Sequence, residues 1–235
     1  MHIKLLQAYQ SAAIPSRTLD LRLVELVAVA LHQISAFLFR LKLDMHDPET
    51  TRGLDIDAVT RWEPEQNLFS RVIPDPTLFT QPHFTALGQY PDGLSDMVGY
   101  WAEDRILGGV LLFDRSQMWV ADSEPNMYIQ CCRRHVTYRV CQLLDKQQDS
   151  LLNFLRTTDA SAVGSPLPIL PGADNRLRIE PVDAISVHQI YRDSWERSPA
   201  RRRLRMQQYM APDVISSLDF PEYDVDEEVR RLRER

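Results

Sequence analysis

The sequence predicts an α+β fold: an antiparallel β-meander packed with two main helices and wrapped by long proline-rich loops. Two helical segments, at residues 18–42 and 145–156, flank a series of short apolar segments at residues 97–141. Polar turn residues separate the short segments, so successive strands are expected to pair as antiparallel neighbours. The length of 235 residues favours a single domain. We expect its core in residues 1–197 and a charged peripheral segment at 198–235.

The first helical segment covers residues 18–42, with Thr18 as its expected N-cap. Its apolar residues recur at helical spacing: Leu21, Val24, Ala28, Leu31, Ile34 and Leu38. Other apolar side chains, such as Val27 and Phe37, lie off that stripe, which indicates a helix sandwiched inside the protein. The apolar stretch at 26–39 is shorter than the about 20 residues needed to cross a bilayer, so no integral membrane span is expected.

Residues 44–96 are punctuated by prolines at positions 48, 64, 74, 76, 82 and 91. Proline disrupts helix interiors and central strands. The segment nevertheless contains many aromatic residues, which a disordered linker would lack. They include Trp62, Phe69, Phe79, Phe84 and Tyr90. We expect an ordered, extended wrap whose aromatic side chains insert into the core.

The meander is expected in residues 97–141. Its predicted strands are residues 97–102, 106–113, 117–121, 127–132 and 136–141, joined by turns at 103–105, 114–116 and 133–135 and a loop at 122–126. Residues 106–113 are apolar at successive positions, so both faces of this strand are expected to be buried. This pattern predicts that it lies at the centre of the sheet.

Residues 145–156 are expected to form the second main helix. Asp145 and Gln148 have the spacing of a capping box, and the leucines at 151, 152 and 155 form a buried stripe. Downstream, the predicted elements are an extended wrap at 165–172, a short helix at 181–191, and either a surface helix or a frayed tail at 224–235.

The composition, with 44% hydrophobic and 26% charged residues, is that of an ordinary globular protein. The net charge of −6 disfavours a nucleic-acid-binding module, because such modules are usually basic. The basic cluster at residues 201–205 is interpreted as a solvated surface. The N-terminus has no apolar run of secretory length, so a cytoplasmic protein is expected.

The cysteines and histidines lack the spacing of common metal sites. Cys131, Cys132 and Cys141 contain no Cys-x-x-Cys pair, and we interpret them as reduced core residues. No two histidines have the i, i+4 spacing of a helical zinc site. His32, on the apolar helix, is interpreted as a core or boundary histidine with satisfied hydrogen bonds. No metal is expected.

Glycine-dependent motifs are incomplete. Gly88 and Gly93 have P-loop spacing, but Leu94 stands where the motif requires lysine. Residues 93–97 lack the closing glycine of a nucleophile elbow. No G-x-G-x-x-G sequence is present, which removes support for a dinucleotide site. No cofactor is therefore expected.

These exclusions leave the aromatic and polar residues of the meander. The candidate catalytic donors are Tyr100, Trp101, His135, Tyr138 and Arg139, and the candidate pocket walls are Phe113, Trp119 and Tyr128. Such side chains can line an apolar pocket with a few convergent hydrogen-bonding groups. The alternative interpretation is a filled core with amphipathic edges.

Three segments carry a resemblance to a known family: GYWAE at 99–103, GGVLLFDR at 108–115 and YRDSWER at 191–197. Residues 5–9 and 167–170 fit the same pattern. On these segments the chain resembles a family of mostly uncharacterised proteins from filamentous fungi. The resemblance implies a fungal, intracellular protein accessory to natural-product biosynthesis, and it carries over no catalytic residue.

The function predicted from these features is a cofactor-independent enzyme acting on an apolar natural-product intermediate: a cyclase or isomerase, including a Diels–Alderase-type pericyclase. A reaction internal to its substrate needs preorganisation in a dry pocket, and a donor can stabilise developing charge. The alternative is a non-enzymatic interaction or scaffold protein, which predicts an exposed apolar patch. A third hypothesis, nucleic-acid or membrane association through residues 201–205, predicts salt-dependent binding.

Overall fold

The fold belongs to the α+β class, as predicted, and contains a five-stranded antiparallel sheet. The computed structural model describes residues 2–44, 77, 79–116, 126–133, 135–157, 164–193 and 219–220. The predicted strand at 117–121, most of the wrap before residue 77, the basic cluster at 201–205 and the C-terminal segment at 224–235 lie outside the described residues.

Two helices open the chain. Helix α1 spans His2–Gln10 and helix α2 spans Arg17–Asp44, so the predicted long helix is confirmed. Its N-cap is Ser16 rather than Thr18, because the Ser16 hydroxyl accepts a hydrogen bond from the Leu19 N–H at 3.1 Å. This bond satisfies one of the N–H groups that the first helical turn leaves without a backbone partner.

The predicted strand at 97–102 and the turn at 103–105 are wrong, because both belong to helix α3, Leu94–Leu107. The helix ends at Gly108, which has φ 106°, a left-handed conformation that glycine adopts without strain. The apolar residues that indicated a strand belong instead to a helix that is buried on several sides. Such a helix has no clear amphipathic period, so its sequence does not show the usual helical pattern.

The sheet comprises five short strands in the spatial order β4-β3-β2-β1-β5. They are β1 Val110–Asp114, β2 Met127–Gln130, β3 Val140–Gln142, β4 Arg178–Ile179 and β5 Ile190–Tyr191. The predicted antiparallel pairing of the segments 127–132 and 136–141 is confirmed by β2 and β3. The prediction also paired the strand at 106–113 with 117–121, whereas β1 begins only at Val110 and pairs with β2 and β5. Strand β1 lies between β2 and β5 and is buried on both faces, as expected of a central strand.

The remaining elements match the sequence in part. Helix α4, Asp145–Arg156, has the predicted bounds, but Gln147 rather than Gln148 closes its first turn by accepting the Leu144 N–H at 3.0 Å. Helix α5 spans Pro181–Ser186, and the end of the predicted helix at 181–191 is strand β5. Residues 164–172 are extended, and the Ile169 N–H donates to the Leu107 carbonyl at 2.8 Å.

The two faces of the sheet have separate apolar clusters. The first joins β1 and β2 to α2 and α4 and includes Leu21, Val24, Ala28, Leu111, Phe113, Met127, Ile129, Leu151 and Leu152. The second joins the opposite face to the segment before α3 and to α3 itself, and includes Phe84, Tyr90, Met97, Tyr100, Val110, Leu112, Tyr128 and Val140. The expectation that wrap aromatics insert into the core is confirmed for Phe84 and Tyr90.

Helix α2 is sandwiched only in its N-terminal half, so the expectation of a sandwiched helix is wrong for Ile34 and Leu38 at the end of the predicted stripe. Glu25 and His32 lie on its buried face. On its C-terminal half, Ile34, Phe37, Leu38 and Leu41 are 57%, 57%, 56% and 40% exposed. Their i, i+3, i+4, i+7 spacing places them on one side of the helix. We call these four residues the outer apolar face of α2.

Candidate functional site

A network of buried charged side chains joins α2, α3 and the residues around β5. His32 of α2 lies between two carboxylates of α3: its Nδ1 is 2.9 Å from Glu103 Oε1 and its Nε2 is 3.1 Å from Asp96 Oδ1. Asp96 and Glu103 are seven residues apart, two helical turns, so both face α2. All three residues are less than 4% exposed. We call this set, with Arg192, the His32 network.

Arg192, the residue that follows β5, completes the network. Its guanidinium donates to Glu103 Oε1, and its Nε donates to Asp193 Oδ2 at 2.8 Å. Its Nη2 also lies 3.2 Å from His32 Nδ1. The guanidinium carbon also lies 5.0 Å from the centre of the Tyr100 ring, within cation–π range. Arg192 thereby connects the end of the sheet to α3, and it is itself 5% exposed.

Tyr100 forms the aromatic side of the network. Its ring meets the His32 ring edge-on at 4.6 Å and stacks on Phe84 at 4.3 Å. Tyr90 packs beside it at 5.4 Å. These rings exclude water from the charged groups, which strengthens their electrostatic interactions.

The network shifts the pKa values of its members. Burial alone would lower the pKa of His32, but the hydrogen bonds to Asp96 and Glu103 outweigh burial and raise it above the ordinary value, against the opposing charge of Arg192. Burial would raise the pKa of Asp96, yet its hydrogen bonds with His32 and with the Asp92 N–H lower it. The network is therefore most stable with His32 protonated and Asp96 ionised.

Gly99 allows α2 and α3 to approach closely at this point. A Cβ atom at position 99 would lie 2.6 Å from the Cε1 and Nε2 atoms of His32. No real Cβ contact is that short, so the His32 ring occupies the space that any other residue would fill. The order Asp96, Gly99, Tyr100, Glu103 follows i, i+3, i+4, i+7 spacing and forms the face of α3 that receives His32.

A second buried ion pair lies one heptad earlier on α2. Glu25 accepts hydrogen bonds from the guanidinium of Arg115, which follows β1. Arg115 also donates to the Tyr191 carbonyl at 3.2 Å and the Arg192 carbonyl at 2.9 Å. Arg115 therefore binds the backbone carbonyls that precede and follow the Cα of Arg192. Through these bonds it links the Glu25–Arg115 ion pair to the Glu103–Arg192 ion pair.

The network can carry a proton on His32, and its opposite charges hold α2, α3 and the residues after β5 together. Both ring nitrogens of His32 already face carboxylate oxygens, so a substrate could contact the ring only by displacing a partner. Glu103 Oε2 has no hydrogen-bond partner among the residues that the structure describes. In the same described part of the chain, no group of three or more His, Cys, Asp or Glu side chains could hold a metal ion.

The structure separates the predicted catalytic donors. Tyr100 is fully buried in the network, whereas Trp101, the next residue, packs edge-on against Phe79 at 4.8 Å. His135 is exposed in a turn with φ 66°. These positions correct the expectation of one meander pocket, because α3 is a helix and places Tyr100 away from residues 135–139.

Tyr138 and Arg139 come together, but at the other edge of the sheet. The Tyr138 hydroxyl lies 2.9 Å from Glu180 Oε1, and Arg139 Nε lies 3.2 Å from the same oxygen. Arg139 also donates to the Asp219 carbonyl at 3.1 Å and covers the Phe220 ring. Burial, followed by the interaction with Glu180, raises the pKa of Tyr138 to about 12, so this phenol remains protonated at neutral pH.

The predicted pocket walls do not share a face. Phe113 belongs to the apolar cluster beneath α2 and α4, and Tyr128 belongs to the cluster beneath α3. Successive pleat positions point to opposite faces, and Tyr128 pairs with Leu112 rather than Phe113. Trp119 lies outside the described residues.

An open groove of about 380 Å³ lies between the start of α2 and α4. Its floor consists of the apolar side chains Leu21, Met127 and Leu152, and its rim consists of Arg17, Asp20, Asp145, Gln148 and Asp149. Arg17 and Gln148 already bond to each other at 3.4 Å. This polar rim differs from the enclosed apolar pocket expected from the sequence.

The cysteines are free and are buried or half-buried, in agreement with their interpretation as core thiols. Burial raises the pKa of Cys131, and it raises the pKa of Cys132 and of Cys141 to about 11. The thiolate is the nucleophilic form of cysteine, so these environments suppress nucleophilic reactivity at neutral pH.

His32 was correctly predicted as a satisfied buried histidine, but its partners were missed. The signal that could have identified them is the i, i+3, i+4, i+7 pattern of Asp96, Gly99, Tyr100 and Glu103, read as a helix face. The segments 99–103, 108–115 and 191–197 supply Glu103, Arg115 and Arg192 to the two ion pairs. Comparison of the chain with protein-family models, curated proteins and solved structures gives no match.

Proposed function

We propose that this protein is a non-enzymatic interaction protein and that the outer apolar face of α2 pairs with the same face of a second copy. The observation that carries the proposal is the inverted pattern of α2. Charged Glu25 and His32 point into the fold, while Ile34, Phe37, Leu38 and Leu41 remain exposed. A contiguous exposed apolar surface of this kind marks a site of association.

A lipid occupant fits α2 less well. By length and composition alone, Arg17–Leu41 could cross a membrane, because its most apolar 18-residue window has a mean hydropathy of 1.6. Core helices pass the same test, and 33% of that window is buried. Crossing would strip Glu25 and His32 of their buried partners, at a high free-energy cost. Surface binding to anionic lipids also has little support, because the net charge is −6.

The outer apolar face is self-complementary. In an antiparallel pair with its two-fold axis between Phe37 and Leu38, Phe37 meets Leu38 of the partner subunit and Ile34 meets Leu41 of the partner subunit. Arg40, a charged residue beside this face, already pairs with Asp92 at 3.2 Å within its own chain. The contact therefore brings apolar side chains together and leaves Arg40 with its ionic partner.

The size of the face predicts a weak dimer. The exposed part of each large apolar side chain is on the order of 100 Å². Two faces of four residues would then bury roughly 800 Å², below the about 1,200 Å² of stable interfaces. We expect a reversible dimer that forms at micromolar or higher concentration.

Sedimentation velocity over a wide concentration range tests this proposal. The average mass of the wild type should rise with concentration, while Phe37→Glu should remain monomeric with unchanged helix content. The matched control is Val187→Glu, which places the same charge at a 66% exposed apolar residue after α5 and should dimerise like the wild type. A wild type that stays monomeric at every concentration would overturn self-association. If it instead bound neutral or anionic vesicles and Phe37→Glu did not, the occupant would be lipid.

A cofactor-independent cyclase or isomerase is the second candidate function. It is favoured by the His32 network, whose shifted pKa values and water-excluding rings resemble features of acid–base sites. Of the predicted donors, Tyr100 contacts this network. Thermal shifts with apolar polyketides and terpenoids would test it, because a ligand of the native state raises apparent stability. Either of two results would count against the enzyme: no thermal shift with any compound, or thermal shifts that are the same in His32→Gln as in the wild type.

A further inference from the structure

The two halves of α2 are held in different ways. The N-terminal half packs into the apolar core through Leu21, Val24 and Ala28 and is anchored to Arg115 by Glu25. In the C-terminal half, the contacts with the rest of the described fold centre on α3 and its flanking residues. They are the His32 hydrogen bonds, the buried Ala36, a ring contact of Phe39 with Phe79 at 6.3 Å, and the exposed pair Arg40–Asp92.

His32 can donate to both neighbouring carboxylates only when it is protonated. Each ring nitrogen faces a carboxylate oxygen, and carboxylates accept hydrogen bonds but do not donate them. The imidazolium has two N–H groups and donates to both Asp96 and Glu103. A neutral ring has one N–H group, so it donates to only one of the two carboxylates. With the proton on Nε2, the ring keeps Asp96 and can accept at Nδ1 from Arg192 Nη2, 3.2 Å away, but its hydrogen bond to Glu103 and its positive charge are lost.

The charges around His32 come from every element packed against it. Asp96, Glu103 and Tyr100 lie on α3; Arg192 and Asp193 follow β5; Glu25 lies on α2 itself and is neutralised by Arg115. Protonated His32 and Arg192 thus face three carboxylates, those of Asp96, Glu103 and Asp193. Loss of the His32 proton increases the negative charge of this buried group, with no cation to replace it among the described side chains.

We propose that His32 is a protonation-dependent fastener: its imidazolium holds residues 33–44 of α2 against α3, and loss of the proton releases them. The inference does not depend on self-association, since all of these contacts lie within one chain. The direction of the pH response follows from the raised pKa of His32. Fastening is complete below the ordinary histidine value of about 6.5 and is lost as the pH rises through the higher value of the folded state.

Amide hydrogen exchange tests the fastener at a concentration where the chain is monomeric. Protection of residues 33–44, corrected for the intrinsic pH dependence of exchange, should fall by up to tenfold per pH unit above the folded-state pKa of His32. Protection of α4, which does not contact His32, should stay constant over the same range. In His32→Gln, protection of residues 33–44 should be independent of pH.

The variant Glu103→Gln distinguishes a titrating fastener from a merely structural contact. An amide oxygen at the place of Oε1 can still accept from His32 and Arg192, while the negative charge is gone. The midpoint of the pH response should therefore move to lower pH, and this result is available even if His32→Gln does not fold. The proposal is overturned if wild-type protection is the same at about pH 6 and about pH 9, if His32→Gln keeps the wild-type response, or if Glu103→Gln leaves the midpoint in place.

Discussion

Substituting Gly99 by alanine should destabilise the protein, although the same change stabilises most helices. Alanine in a helix interior is ordinarily favoured over glycine by roughly 0.5–1 kcal/mol. At position 99, however, the new Cβ would lie 2.6 Å from two atoms of the His32 ring. Because hydrogen bonds to Asp96 and Glu103 hold that ring on both sides, it cannot move away without breaking one of them.

The magnitude follows from two costs. Overpacking a filled core costs about 1–3 kcal/mol, and fully breaking a buried ionic contact costs about 3–5 kcal/mol. Partial displacement of His32, offset by the ordinary preference for alanine, gives a net loss of roughly 2–4 kcal/mol in the free energy of unfolding. Urea unfolding at about pH 6, where His32 is protonated, is the appropriate assay.

Two comparisons make this prediction specific. Gly88→Ala adds a Cβ that meets nothing within 4 Å, so its stability should equal or slightly exceed that of the wild type. In a His32→Ala background, Gly99→Ala should lose most of its effect, because the ring that causes the clash is absent. A Gly99→Ala protein as stable as the wild type, or an equal loss with and without the His32 ring, would refute the reasoning.

Two further outcomes are expected. Arg115→Met should reduce the free energy of unfolding by about 3 kcal/mol in urea titrations, because Glu25 stays buried and, among the described residues, keeps only Arg22, at 2.6 Å, as an ionic partner. A similar loss in a Glu25→Gln background would contradict this cause. Near neutral pH, Cys132 should react with a soluble disulfide reagent far more slowly in the native protein than in the urea-unfolded protein. The reason is that burial raises the pKa of its thiol to about 11. Equal rates would show that the thiol is not shielded.

The elements predicted correctly are those whose local pattern agrees with their final environment. Helix α4 has a narrow apolar stripe and a polar remainder, so its bounds are visible in the sequence. Strand β1 has apolar residues at successive positions, which indicates burial on both faces. In these cases the side chains needed by the core are the ones that define the secondary structure.

Helix α3 shows why local patterns can fail. Residues 97–102 combine apolar and aromatic side chains in a way that is typical of a strand, yet they are helical. The polar residues on the same helix, Asp96 and Glu103, are buried because His32 and Arg192 neutralise them from distant parts of the chain. Sequence analysis normally places carboxylates at the surface, so it cannot recognise that the face carrying Asp96 and Glu103 is the buried face of this helix.

The amino-acid sequence by itself determined the α+β class, the long apolar helix, the antiparallel pairing of β2 with β3 and the burial of the cysteines. Those features follow from hydrophobic periodicity and turn chemistry, which act over a few neighbouring residues. Only the tertiary structure decided that α2 turns Glu25 and His32 inward and leaves Ile34, Phe37, Leu38 and Leu41 exposed. The reason is that His32, Glu103 and Arg192 are far apart in the chain, and each is tolerated in the core only because the fold supplies the opposite charge.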